Sequence, residues 1–332
     1  MAPPSPIPRH TTIAVIGSGC AGLTAAIYAA RAAMPPVLVE GMAAGGPPGG
    51  QLALTSDVEN YPGFAEGILG PELMARMREQ ARRFGTDFFA GDVQRVDLSR
   101  RPFLVEGEGI EPFAVTCDAL IVATGARPKK LGLGGEMDPP AGMWGRGVTS
   151  CATCDGHFFK GEDVVVIGGG DTAMEEATYL AKMCRTVTVI HRRDQFRASK
   201  IMLDRARRTS NIAWAAPCVV EEILPDAGNQ VRGVRLRHAQ SGELRELSCK
   251  GFFLGIGHEP NTGLFQHQLS LDEGGYIRVG REVGEKAATA TSVPGVFAAG
   301  DVADAAYRQA VTAAGSGCQA AIDAERWLTH NG

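Results

Sequence analysis

The sequence predicts an α/β protein built on two βαβ units, and three observations carry that prediction. A short apolar run, Ile13 to Ile16, ends in Gly17-Ser18-Gly19-Cys20-Ala21-Gly22; a helix-like stretch follows, and a second apolar run, Val37 to Val39, closes at Glu40. The pattern returns with Asp163 to Ile167, then Gly168-Gly169-Gly170-Asp171-Thr172-Ala173, a helical stretch to about Met183, and the run Thr186 to Ile190. Glycine is also abundant, 43 of 332 residues, about 13% against a usual share of about 7%. Proline is only 19, and the glycines lie among apolar runs, so neither a collagen nor a disordered chain fits.

Size and composition bound what these units belong to. At roughly 150 residues per domain, the length suggests two domains, and 44% hydrophobic residues suffice for sizeable cores. Lys and Arg number 33 against 37 Asp and Glu, a net charge of −4. That balance is too even for a nucleic-acid or polyanion binder. No apolar run approaches the roughly 18 residues of a membrane span. The opening MAPPSPIPRH lacks the basic region and apolar stretch of a signal peptide. Eight cysteines are too sparse for a secreted disulfide scaffold. The expectation is a reducing, cytoplasmic compartment, where a Cys-x-x-Cys pair is catalytic or metal-binding rather than structural.

The first glycine motif is read residue by residue. Gly17 allows the tight turn, Gly19 lets backbone approach a pyrophosphate, and Gly22 lets helix pack on strand. The helix N-terminus then faces the phosphates. Glu40, 18 residues beyond Gly22, suits a ribose hydroxyl. The site fits FAD or NAD.

In the second motif, Gly168 and Gly170 play the turn roles. Counting the 23 residues that separate Gly17 from Glu40, the same step from Gly168 reaches His191, followed by Arg192 and Arg193, with Arg197 close behind. A carboxylate would repel a 2′-phosphate, whereas guanidinium groups fork onto it. The second site is therefore expected to prefer NADPH over NADH. The plain alternative is a solvated basic helix start.

The C-terminal segment assigns the first site. Gly295 to Asp301 reads as a strand ending in glycine and aspartate, and a long small-residue helix begins near Arg308-Gln309-Ala310. Such a helix start would set its positive end against a flavin's pyrimidine ring, which favours FAD. Residues 1–127 and 264–332 are then expected to build one FAD-binding domain, with an NADPH-binding domain, 128–263, inserted between them. Ala119 to Ala123 and Phe252 to Ile256 run into Thr124-Gly125-Ala126 and Gly257-His258-Glu259-Pro260, read as the crossing points.

Just before the second glycine motif stands Cys151-Ala152-Thr153-Cys154-Asp155-Gly156. Three readings compete. A zinc half-site lacks a second Cys-x-x-Cys pair or a histidine cluster. Two buried cysteines would be inert. A redox dithiol fits the compartment and the two flanking nucleotide folds, because two thiols this close form a small-ring disulfide that a flavin can reduce. Asp155, beside the second cysteine, suits a proton donor or acceptor, or a turn residue before Gly156. The other six cysteines read as small core residues.

These segments, with Gly49-Gly50-Gln51-Leu52, Val58 to Gly63 and Gly300 to Ala314, resemble the low-molecular-weight, bacterial-type thioredoxin reductases of the pyridine nucleotide-disulfide oxidoreductase family. The resemblance runs from about Thr11 to Leu328. It implies two Rossmann-like domains and an NADPH-dependent flavoprotein that reduces thioredoxin through the Cys151–Cys154 disulfide. It implies FAD contacts at Gly17, Gly19, Gly22, Glu40, Gly50, Gln51, Asn60, Val93, Thr124, Gly125, Asp301, Arg308, Gln309 and Ala310. It implies NADPH contacts at Gly168, Gly170, Thr172, His191, Arg192, Arg193 and Arg197. Cys154 would sit nearest the flavin and Asp155 would handle the proton. Members are homodimers whose NADPH domain rotates against the FAD domain. Other readings keep the electron path but change the acceptor to a glutaredoxin-like or peroxidase-linked protein, or make the chain a nucleotide-binding redox sensor. Two departures stand out: Cys20 replaces a more usual proline, a thiol expected to be oxidisable near FAD, and the stretch Ala43 to Pro48 lengthens a loop near the flavin.

Overall fold

The computed structural model describes residues 8–42, 48–55 and 57–331; of the long loop, residues 43–47 lie outside the described residues. The chain forms two compact units, one from Met1–Arg127 with Glu259–Gly332, the other from Pro128–His258. Residues 259–263 thus belong to the first unit. Six α-helices lie among the described residues: α1 (Cys20–Arg31), α2 (Gly70–Arg83), α3 (Ala152–Asp155), α4 (Asp171–Leu180), α5 (Lys200–Arg208) and α6 (Ala310–Asn331). None of them is long and apolar enough to cross a membrane.

The first unit is a seven-stranded sheet. In order across it run Asp87–Phe89, Val37–Val39, Arg9–Ile16, Phe113–Val122, Phe103–Gly109 and Gly91–Asp97, with Val296–Ala298 paired to Phe113–Val122. The first four strands and Val296–Ala298 are parallel, in the register Ile16 to Val39, Ile16 to Val122 and Ala298 to Val122. Strands of a parallel sheet are covered on both faces, which is why Ile13 to Ile16 is an unbroken apolar run rather than an alternating one. Ile13 and Val15 join Leu23, Ile27 and Phe297 beneath α1 and α6. Ala14 and Ile16 point the other way, to Val105, Val122 and Phe265. The two strands Gly91–Asp97 and Phe103–Gly109 turn the edge antiparallel.

The second unit repeats the plan at smaller size. Its five parallel strands run in the order Val148–Thr149, Gly251–Leu254, Asp163–Ile167, Thr186–Ile190 and Ile212–Ala215. Val165, Ile167 and Phe252 face one core, and Val164, Val166 and Phe253 the other. A three-stranded antiparallel meander, Cys218–Pro225, Val231–His238 and Leu244–Ser248, completes it. In both units the glycine turns sit at the C-terminal ends of parallel strands, where open α/β sheets bind ligands.

Candidate functional site

In the first unit the turn after Ile16 is shaped by close approach. Gly17 has φ +108°, its N–H donates to the Val39 carbonyl at 2.8 Å, and a Cβ on it would stand 2.2 Å from the Ala123 oxygen. A Cβ on Gly22 would stand 1.9 Å from the Gly17 oxygen. At Gly19, by contrast, a Cβ meets nothing within 4 Å. Gly19 is the N-cap of α1 and supplies no side-chain cap. The first-turn N–H groups of α1 thus have no side-chain cap at Gly19, the arrangement that receives a phosphate. On this observation the residues fit a dinucleotide.

Around that turn the structure gathers several predicted residues. A Cβ built on Gly50 (φ +64°) would lie 3.8 Å from the Gly19 Cα. Ser18, which sequence reasoning missed, ties the pieces together. Its Oγ donates to the Glu40 carbonyl at 2.9 Å and accepts from the Gly49 N–H at 3.0 Å. Gln51 is exposed on the short 3-10 turn Gly50–Leu54. The Glu40 carboxylate is buried and held in a fork by Arg78, Oε1 from Nε at 2.7 Å and Oε2 from Nη2 at 2.8 Å. This partner, in the third turn of α2, carried no sequence signal. The Gly41 N–H donates to the Gly91 carbonyl at 3.1 Å, leading onto the strand that holds half-buried Val93.

The C-terminal segment supplies the rest. Asn60 Nδ2 donates to Gln309 Oε1 at 3.3 Å, so two predicted residues 249 positions apart meet. Thr124 and Gly125 are stitched to Asn261. The Thr124 hydroxyl donates to the Asn261 carbonyl, and Asn261 Nδ2 donates back to the Thr124 carbonyl, both at 2.8 Å. Burial first, and Asp304 second, push the Asp301 carboxyl up to about 6, against the pull of Arg308. Arg308 adopts φ +48° and its guanidinium donates to the Ala305 carbonyl at 2.7 Å. Ala310 is the first residue of α6.

Cys20 is not the oxidisable thiol its sequence position suggests. It is buried, its sulfur lies 3.9 Å from the Met74 sulfur and 3.8 Å from that of Met77. Burial pushes its ionisation up to about 12, which starves it of reactive thiolate. Of the other cysteines outside the Cys-x-x-Cys motif, Cys117, Cys184, Cys218 and Cys249 are buried, as core residues should be, but Cys318 on α6 is partly exposed.

In the second unit the turn repeats. Gly168 (φ +145°) would carry a Cβ 2.4 Å from the Gly255 oxygen, while at Gly170, the uncapped N-cap of α4, a Cβ meets nothing within 4 Å. Thr172 is the second residue of α4. His191 is buried at the end of its strand, and a Cβ on Gly169 would strike its ring at 2.5 Å. The ring stacks on Phe196, centroids 4.9 Å apart, and Phe196 meets Trp214 edge-on at 5.1 Å. Burial first, then the charges of Arg192, Arg197 and Arg193, hold His191 below the usual histidine range. The backbone N–H groups of Arg197 and Ala198 both donate to the Gly169 carbonyl, at 2.7 and 3.0 Å. Arg192, Arg193 and Arg197 are exposed, and none of the three is in an ion pair among the described residues. A basic loop bonded to a phosphate turn fits a nucleotide with an extra phosphate.

The same unit holds the cysteine pair. Cys151 and Cys154 form a disulfide, Cα–Cα 5.3 Å, which decides among the three sequence readings. The pair spans the single turn of α3, where Cys151 Sγ accepts from the Cys154 N–H at 3.2 Å. Buried Ala152 anchors the turn to the core of Val164, Val166 and Phe253. The Asp155 carboxyl bonds the Thr149 hydroxyl. Burial raises it above the usual carboxylate range, and that bond opposes the rise.

The chain matches the family described as pyridine nucleotide-disulphide oxidoreductase over residues 11–317. It is 48% identical over 324 residues to a thioredoxin reductase of Coxiella burnetii, covering 97% of each chain. It is 51% identical over 316 residues to one of Mycolicibacterium smegmatis, covering 95% of this chain and 96% of that one. Among solved structures, thioredoxin reductase from Giardia duodenalis superposes with TM-score 0.88 at 42% identity, over 97% of this chain and 99% of that one. The chain therefore belongs to the pyridine nucleotide-disulphide oxidoreductase family, among its low-molecular-weight thioredoxin reductases.

Proposed function

We propose that the protein is an FAD-dependent thioredoxin reductase that draws its electrons from NADPH. The observation that carries this reading is the Cys151–Cys154 disulfide beside a buried carboxyl, in the unit whose phosphate turn is bonded to a basic loop. A relative of Arabidopsis thaliana, 48% identical over 96% of this chain and 58% of that one, is named an NADPH-dependent thioredoxin reductase, which supports the choice of nucleotide.

The residues divide the work. Gly17, Gly19 and Gly22 with the α1 N-terminus would hold the FAD pyrophosphate. Gly50, Gln51, Asn60, Val93, Thr124, Gly125, Asp301 and the segment Arg308 to Ala310 would line the rest. Gly168, Gly170 and Thr172 would cradle the NADPH pyrophosphate, while Arg192, Arg193 and Arg197 hold the 2′-phosphate. Bound FAD supplies the two-electron link between NADPH and the disulfide. In the exchange, one cysteine thiolate attacks a thioredoxin sulfur, and the second thioredoxin sulfur leaves as thiolate. The other cysteine then attacks the mixed disulfide, closing Cys151–Cys154 and releasing the thioredoxin dithiol. Two protons pass from the pair to the partner, and Asp155 relays one. The protein would work as a homodimer in a reducing compartment.

The test is NADPH-driven reduction of thioredoxin by the purified yellow protein. Cys154→Ser should abolish transfer while flavin stays bound. A Cys154→Ser protein that reduces thioredoxin at the normal rate overturns the mechanism. Reduction of a glutaredoxin but not of thioredoxin would overturn the partner while leaving the electron path.

A further inference from the structure

Thr149 lies two residues before Cys151, and the structure gives it a task. It ends the short strand Val148–Thr149, paired in parallel with Gly251–Leu254, and is almost fully buried. Its hydroxyl makes two hydrogen bonds of opposite sense. The oxygen accepts from the Cys151 N–H at 3.1 Å. Its hydroxyl proton is donated to Asp155, whose Oδ2 accepts it. One side chain thus joins the backbone of the first cysteine to the carboxyl that follows the second.

We propose that Thr149 is a positioning residue for the disulfide chemistry, its hydroxyl clamping the Asp155 carboxyl to the Cys151 end of the pair so that the proton relay is set for exchange. The clamp acts through Asp155 and touches no substrate. It rests on the reading that Asp155 relays a proton during partner reduction. Two influences act on that carboxyl: burial, which raises it, and the Thr149 hydrogen bond, which lowers it. The titratable groups on the elements packed around it are the two cysteines themselves once reduced, His157 in the next turn, Asp171, Glu175, Glu176 and Tyr179 on α4, and Lys182 just beyond it. Tyr179 lies against Gly156, and the Lys182 ammonium sits over the Tyr179 ring at 5.5 Å.

That hydrogen bond favours the charged form of the carboxyl, so losing it should move the carboxyl's titration upward, by about one pH unit. The test uses the flavin-loaded protein. Thr149→Val keeps the shape and removes the hydroxyl; Thr149→Ser keeps the hydroxyl. Two quantities are followed against pH: the rate of thioredoxin reduction, and the infrared carbonyl band of the protonated carboxyl, assigned by its loss in Asp155→Asn. In Thr149→Val, both the limb governed by Asp155 and the band should move about one pH unit higher, and in Thr149→Ser both should stay in place. The proposal is overturned if Thr149→Val lowers the rate equally at every pH with the band unmoved, or if serine and valine shift it alike. Should the wild-type protein fail to reduce thioredoxin, the functional reading falls, and the infrared titration still decides for or against the clamp.

Discussion

Arg192, Arg193 and Arg197 follow the end of the Thr186–Ile190 strand with no ion pair among the described residues, beside a histidine that burial and those same charges hold below its usual range. Each charge-assisted contact to a phosphate is worth about 1.5–3 kcal/mol. Changing Arg192 and Arg193 together to Gln should therefore cut the preference for NADPH over NADH on the order of 100-fold. Steady-state KM and kcat with each nucleotide measure it, and an unchanged ratio refutes the phosphate assignment. The sequence could single out these arginines because their offset from the glycine turn is fixed by chain geometry. It could not single out Ser18, Arg78 and Thr149, because each role depends on partners that the fold brings in. Arg78 meets Glu40 from a helix 38 positions later. Cys20 misled for the same reason: a thiol's reactivity belongs to its surroundings, here two methionine sulfurs and a buried helix start.

At the scale of elements, apolar runs with clear ends were the readable part. Asp163–Ile167 and Thr186–Ile190 form where the runs lie, because a strand buried on both faces leaves no polar residue to blur it. The helix after Gly170 ends at Leu180, three residues before the expected Met183, where the chain turns back and Gly161 N–H bonds the Met183 carbonyl. The antiparallel strands Gly91–Asp97 and Phe103–Gly109 and the meander Cys218–Ser248 went unread, since their half-exposed patterns resemble loops. The small residues of α6 have a packing reason that composition hid. A Cβ on Gly317 would stand 2.1 Å from the Ala21 oxygen, so α6 crosses α1 at glycine contact distance. Gly317→Leu should separate the two helices and destabilise the protein by about 1–3 kcal/mol or more. Gly315 points into open space, and Gly315→Ala should be neutral or gain up to about 1 kcal/mol from helix propensity. Thermal unfolding of the two variants side by side checks the contrast, and equal losses would refute it.

At the scale of the molecule, the outer face of α1 and α6 bears on assembly. Tyr28 is 46% exposed and Val311 44%. Val311 lies seven residues before Cys318, on the same side of α6. In the homodimer proposed above, these two exposed side chains are the candidates to meet the second copy. Sedimentation should give twice the 35.0 kDa of one chain, and Val311→Glu with Tyr28→Glu should return it to one; a monomeric wild-type protein would refute the homodimer. The insertion of Pro128–His258 into the first unit has a consequence in time rather than in space. Synthesis runs from the N-terminus, and domains tend to fold as they emerge. The strand Val296–Ala298, which pairs with Phe113–Val122, and the helix α6, which covers α1, are made only after all of Pro128–His258. The second unit is therefore whole while the first still waits for its last strand and its cover. Until the final 74 residues, Glu259–Gly332, arrive, the half-built first unit is the part of a nascent chain that a chaperone has reason to hold.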